Sequence, residues 1–107
     1  MNDVRLCLWP RYALRRGELR VPLARQEGLV MTALLARREV SLDLLVELLW
    51  PDPDNMPDLW YRSLAVCLHK LRGKLAPFGL VIAVRYSFGW RLEEAPTSTD
   101  AESRLAA

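Results

Sequence analysis

The chain has 107 residues, 51% of them hydrophobic and 26% charged, enough for one domain with a modest core and too apolar for a disordered segment. Its net charge is only +2, so affinity for a polyanion has to come from local clustering rather than from the total. No apolar run approaches the ~20 residues of a membrane span, the N-terminus lacks the apolar core of a signal peptide, and the two cysteines, Cys7 and Cys67, make no disulfide framework. A cytoplasmic protein with no membrane partner is expected.

Residues 4–9 alternate, with Val4, Leu6 and Leu8 in phase. Residues 12–16 and 18–22 are further short strand candidates, the latter with Leu19 and Val21 in phase. Pro10-Arg11 and Arg16-Gly17 supply the turns of a small antiparallel meander, edge-limited by Pro22. From 24 to 38 the period changes to that of a helix, carried by Leu29, Val30, Met31, Leu34 and Leu35, with Arg37 and Arg38 favourably placed at its C-terminal end. Gly28 weakens that helix locally. Ser41 is a good N-cap for a helix over 42–50, with Asp43 in its first turn. Pro51-Asp-Pro-Asp-Asn-Met-Pro-Asp58 reads as a loop. Asn55 as cap, Pro57 in the first turn and Asp58 near the N-terminus then predict a long helix over 56–76, stopped by Pro77-Phe78-Gly79. Residues 80–85 read as a strand, 86–89 as a turn and 90–93 as the returning strand. From Glu94 the Ala/Thr/Ser/Pro composition reads as a loose tail. The expected organisation is a domain over 1–93 and a flexible tail over 94–107. Three strands, three helices and a hairpin make an α+β chain with a winged helix-turn-helix layout.

The long helix carries the functional signal. Leu64, Leu68, Leu71 and Leu75 share one face, while Arg62, Val66, Lys70 and Lys74 lie roughly opposite, with Ser63, Cys67 and His69 on the flanks. Residues 59–92 contain six Lys/Arg and no acid, whereas residues 39–58 contain six Asp/Glu and no Lys/Arg. Cations separated by small side chains on one helix suit a DNA major groove; a solvated basic face is the alternative. Ser63 and Cys67 are small enough for a close backbone approach. Arg72 lies nearer the apolar face, where an acid such as Glu47 could pair with it. Trp50 and Trp90 are expected in the core. Cys67 and His69 lack further metal ligands at suitable spacing. No nucleophile turn or glycine-rich phosphate loop occurs, so neither enzyme nor cofactor is expected.

Four pieces, in order, resemble the DNA-binding domain of OmpR/PhoB-type response regulators. Leu23-Ala-Arg-Gln-Glu27 is similar to that family's L-T-x-x-E, and Ser41-Leu-Asp-Leu-Leu-Val-Glu-Leu-Leu-Trp50 to its S-R-x-x-L-x-x-x-x-W. Leu64-Ala-Val-Cys-Leu-His-Lys-Leu-Arg-Gly-Lys-Leu75 is similar to V-x-V-H-I-x-x-L-R-x-K-L, and Val84-Arg85 with Gly89-Trp90-Arg91-Leu92 to the wing's V-R-G-x-G-Y-R-L. The resemblance implies a third helix in the major groove and a wing, residues 80–93, on the minor groove or adjacent phosphates. It puts Lys70 and Arg72 at cationic positions of the recognition helix, and His69 where a further arginine is common. Arg85 and Arg91 fall on the wing's two strands. The candidate DNA-binding residues are thus Arg62, Ser63, Val66, Cys67, His69, Lys70, Lys74, Arg85 and Arg91. Departures are Cys67 for a histidine, Ala65 for a frequent polar residue, a longer 51–58 loop, and Tyr86-Ser87-Phe88 for a shorter glycine-rich turn. With no receiver domain preceding it, control by phosphorylation of this chain is not expected. In the resembling family the 51–58 loop can touch RNA polymerase. The reading is therefore a transcription regulator acting on double-stranded DNA, with a homodimer on DNA and RNA polymerase as further candidate partners. The alternative is a winged-helix module for protein contact, with RNA polymerase or another regulator, that binds little DNA.

Overall fold

The computed structural model describes residues 4–8 and 11–95. The expected turn residue Pro10 and the tail from 96 onward lie outside them. In chain order the elements are β1 (Arg5–Cys7), β2 (Ala13–Arg16), β3 (Leu19–Pro22), α1 (Arg25–Arg37), β4 (Glu39–Ser41), α2 (Leu42–Leu49), α3 (Trp60–Leu75), β5 (Leu80–Arg85) and β6 (Gly89–Glu94). Two three-stranded antiparallel sheets result, one ordered β1-β2-β3 and the other β4-β6-β5. This is the α+β winged-helix arrangement expected, with one strand more.

That strand, β4, pairs Glu39, Val40 and Ser41 with Arg91, Trp90 and Gly89. Three residues show no alternation that sequence could reveal. Its partner lies some fifty residues away, and Gly89 makes the approach feasible: a Cβ there would sit 2.0 Å from the Val40 carbonyl oxygen. Gly28 has the same purpose in α1, where a Cβ would fall 2.1 Å from the Tyr12 ring. The residue that weakens the helix locally is thus what seats the first sheet against it.

Several ends behave as their residues dictate. Ser41 caps α2, its hydroxyl accepting from the Leu44 N–H at 3.1 Å. Gly79, at φ +70°, ends the turn after α3 in the left-handed region that suits glycine. The start of α3 differs from expectation. Asp52 caps a short 3-10 turn at Pro53–Asn55, accepting from the Asp54 N–H at 3.0 Å, and α3 itself starts after Leu59 with no side-chain cap from Asn55. Asn55 is taken up in that turn, Pro57 follows it ahead of the helix, and α3 begins only at Trp60. At the other end of the chain β6 runs through Glu94, and the Ala95 N–H donates to the Gly79 carbonyl at 2.6 Å.

The core is formed where α1, α2 and α3 meet the inner faces of both sheets. Leu14, Val30, Met31, Leu34, Leu45, Leu71 and Leu75 are fully buried, with Phe78, Leu80 and Leu92 closing it from the wing side. Trp50, Trp60 and Trp90 are half-buried against this cluster, as expected for Trp50 and Trp90. Arg16 fastens the first sheet to the end of α3. Its guanidinium donates to the carbonyls of Phe78 at 2.9 Å and Pro77 at 3.3 Å and lies over the Phe78 ring.

Candidate nucleic-acid interface

Helix α3 buries Leu64, Cys67, Leu68, Leu71 and Leu75. It leaves Tyr61, Arg62, Ala65, Val66, His69, Lys70, Arg72 and Gly73 exposed and Ser63 and Lys74 half-buried. The outward surface is therefore a stripe of Arg62, Val66, His69 and Lys70, with alanine, glycine and tyrosine beside it. Among the described residues no carboxylate pairs with Arg62 or Lys70.

Two residues expected on that surface lie elsewhere. Cys67 is only 5% exposed and belongs to the face toward α1, so it offers the core a small hydrophobe rather than a gap for the duplex. Burial, helped by the nearby Glu27 charge, pushes its thiol up to about 11 against the opposing pull of Lys74 and Lys70. Lys74 also turns inward, its Nζ 2.6 Å from Oε1 of Glu27, a carboxylate that is itself only 2% exposed. The same oxygen accepts from the Ala24 N–H at 2.7 Å, the reach-back that satisfies an orphan donor at the start of α1. Glu27 Oε2 has no hydrogen-bond partner among the described residues; Glu27 lines, with Ser63, Cys67 and Lys70, a small cleft of about 110 Å³. A wheel drawn on α3 alone puts Lys74 outside. Its partner sits 47 residues upstream, which no periodicity in α3 can reveal.

Arg72 does not meet Glu47. Its Nε donates to the Ile82 carbonyl at 3.3 Å, tying α3 to β5. On the wing, Arg85 Nε lies 3.3 Å and Arg91 Nη1 3.9 Å from Oε1 of Glu39, and Arg91 also approaches Glu93 at 3.9 Å. All four side chains are well exposed, so each pair contributes about 0–1 kcal/mol and can exchange its carboxylate for another anion. Sequence reasoning passed over both Glu27 and Glu39 as functional residues. The only available signal was that Glu27 falls within the L-T-x-x-E-like piece.

The wing tip is a tight turn. The Phe88 N–H donates to the Arg85 carbonyl at 3.0 Å, and Ser87 takes φ +62°. Strand geometry stops at Arg85 and resumes at Gly89, so residues 86–88 form the turn the sequence predicts. The Leu42 N–H donates to the Phe88 carbonyl at 3.2 Å and pins the tip to the start of α2. Tyr86 is 96% and Val84 67% exposed. Between wing and α3 runs a largely apolar groove of about 390 Å³, lined by Trp60, Tyr61, Ala65, Val84 and Trp90, with Arg72 at its edge. Among the described residues no three His, Cys, Asp or Glu gather as a metal site, and no helix is long and apolar enough to cross a membrane.

No family model matches this sequence, and no curated protein matches it. Among solved structures, the chain is similar to the C-terminal domain of the nisin resistance regulator NsrR, a lantibiotic response regulator. The TM-score is 0.69 at 25% identity, over 90% of this chain and 97% of that one. The likeness bears out the resemblance to OmpR/PhoB-type winged-helix effector domains.

Proposed function

We propose that this domain is a transcription regulator that binds double-stranded DNA, with α3 in the major groove and the β5–β6 wing on the minor groove or its phosphates. The observation that carries the reading is the outward stripe of α3. Arg62 and Lys70 project from a helix with small neighbours, and no carboxylate among the described residues neutralises them. Such a helix can approach base edges closely while its cations bind phosphate or guanine. Of the candidate contacts, Arg62, Val66, His69 and Lys70 form the direct surface, with Ser63 at its margin. Arg85 and Arg91 are a reserve that Glu39 occupies in the free protein. Cys67 and Lys74 support the helix from within.

Binding to random and selected duplexes across a salt series tests this. A phosphate-tracking surface loses affinity steeply with salt, with a slope of about 0.9 per phosphate contact on B-DNA. Lys70→Ala is expected to weaken binding by about 1–3 kcal/mol and to relax preference at one position if it reads a base. Affinity that is flat with salt and indifferent to Arg62→Ala and Lys70→Ala would defeat the proposal.

A second reading draws on the wing. Tyr86, Val84 and Phe88 are exposed together beside the apolar groove, and the wing arginines already hold an acid. A protein-contact module would show this surface. Tyr86→Ala abolishing capture of a protein partner, with DNA binding absent throughout, would favour it.

A further inference from the structure

Among the described residues Glu27 is the one buried charged side chain, and only half of its carboxylate is used. Oε1 accepts both from the Ala24 N–H at 2.7 Å and from the Lys74 ammonium at 2.6 Å. Oε2 is equally shut off from bulk solvent and accepts from no described residue. A buried carboxylate oxygen without a donor is strongly unfavourable, so the cleft beside it is a place where a donor is wanted.

Helix geometry decides which donors can reach it. Ser63, Cys67, Lys70 and Lys74 stand at i, i+4, i+7 and i+11 of α3, so they share one stripe. That stripe lies against the first turn of α1, since Ser63, Cys67 and Lys70 line the 110 Å³ cleft with Gln26 and Glu27, and Lys74 reaches Glu27 itself. Lys74 takes Oε1. One turn before it comes Lys70, exposed and without a carboxylate partner among the described residues. Ser63 and Gln26 offer only neutral donors, and a carboxylate is bound more strongly by a cationic one. The Cys67 thiol, raised first by burial, also registers the charges of Glu27 and Lys70, so both groups act on the same side of α3. Lys70 and Lys74 are the chain's only lysines.

We propose that Glu27 Oε2 is an inward seat for the Lys70 ammonium, which makes Glu27 a positioning residue that sets how much of Lys70 is free for the duplex. The proposal rests on the DNA-binding reading above. A lysine stem is long and flexible and ends in three donors, so rotamer changes alone carry the ammonium between its outward position and the cleft. Each lysine then holds its own oxygen of one carboxylate. DNA draws Lys70 out and leaves Oε2 to water, which a polar cleft of this size admits. What α3 gains on phosphate or guanine is reduced by what Lys70 gives up at Glu27. Arg62 faces no carboxylate among the described residues, so the two cations of the outward stripe differ: Arg62 is always available and Lys70 is conditional. The rival arrangement is water in the cleft at all times, with Lys70 permanently outward.

Cys67→His separates the two arrangements. An imidazole at 67 enters the cleft from α3, donates an N–H to Oε2 and takes the Lys70 seat, while Oε1 keeps Ala24 and Lys74. Acylation of each lysine in the whole chain without DNA, followed by mass spectrometry, reads the seat, because a seated ammonium is shielded from the reagent. Reactivity and apparent DNA affinity both scale with the fraction of Lys70 outside the cleft, so Cys67→His is expected to raise both by a common factor of about 3 or more. The Lys74 rate is expected to stay at its wild-type value, which general loosening of the fold would not allow. Glu27→Gln removes the charge that holds both lysines and is expected to raise both rates, at a temperature where its melt shows it folded. Lys70 reacting alike in wild type, Cys67→His and Glu27→Gln overturns the proposal and assigns the cleft to water. Lys70 released in Cys67→His with DNA affinity unchanged overturns it too. Lys70 released while neither wild type nor variant binds DNA upholds the seat and overturns the DNA-binding reading instead.

Discussion

In the N-terminal sheet Arg5, Arg15 and Arg20 stand in one cross-strand row with no acid among them. In the β4-β6-β5 sheet Glu39 lies within 3.3 Å of Arg85 and 3.9 Å of Arg91, and Glu93 within 3.9 Å of Arg91. The two sheets are alike in size and antiparallel pairing, and both present arginine to solvent. Two carboxylates, Glu39 on the short strand β4 and Glu93 on β6, decide which arginines are already engaged. By count the wing has two arginines to the row's three, and the placement of acids widens that difference.

The largest expected contrast is mechanical. Gly89→Val forces a Cβ to within 2.0 Å of the Val40 carbonyl. The β4 pairing then fails, and a loss of more than ~4 kcal/mol in urea melts is expected. Gly17→Ala, in the turn of the first sheet, meets nothing within 4 Å and bears only the strain of φ +59°, about 1 kcal/mol. Equal losses would mean that β4 does not bind the second sheet as described.

Next comes the buried pair that anchors α3 from the side opposite the wing. Glu27→Leu is expected to cost about 2–4 kcal/mol, because it strands Lys74 and the Ala24 N–H. Lys74→Met should cost about 1–3 kcal/mol, Lys74 being a third exposed, and should leave the salt slope of DNA binding unchanged. A slope reduced by about one unit would return Lys74 to the phosphate-binding set. A double-mutant cycle measures the coupling directly.

Cys67 gives a pH signature on the same side. Its folded pKa, about 11, lies above the usual thiol value of 9.0, so the unfolded chain loses this proton first as pH rises. Its contribution to stability is complete below pH ~9 and declines through pH ~11, by roughly 3 kcal/mol at most. Wild type should therefore lose more stability than Cys67→Ala across that window. Parallel slopes would show that burial does not hold the thiol neutral.

The smallest effect tests the comparison itself. Glu39→Gln frees Arg85 and leaves Arg91 beside Glu93 alone, and is expected to tighten DNA binding by about 0.5–1 kcal/mol at low salt, with a steeper salt slope. No change in DNA affinity, with tighter capture of an acidic protein, would move the wing to the protein-contact reading.

Local chemistry made much of this legible in the sequence. Ser41 caps α2, Pro77 and Gly79 close the segment after α3, and the leucine spacing orients α3 correctly for Leu64, Leu68, Leu71 and Leu75. Features that depend on distant residues were not legible. β4 has three residues and a partner from the far end of the chain. Cys67 sits between two leucine positions, where only the presence of α1 decides its burial. Lys74 reads as solvent-facing until Glu27 is known to be beneath it. The start of α3 slipped because Asn55 belongs to a turn that Asp52 organises, and Pro57 and Asp58 lie between that turn and the helix. The sites that misled are those where a polar group answers to a contact across the core.

The pairing of β4 with β6 also sets a timetable. The first sheet closes through turns of a few residues and can form early. Joining Glu39 to Arg91 closes a loop that contains α2, α3 and the wing. Long loop closures carry an entropic cost that local turns do not, and contacts of high sequence separation slow folding. The sheet that joins β4 to the wing is therefore expected to be the last part of the chain to acquire its native geometry during refolding, with amide protection in β4 and β6 appearing after that in β2 and β3.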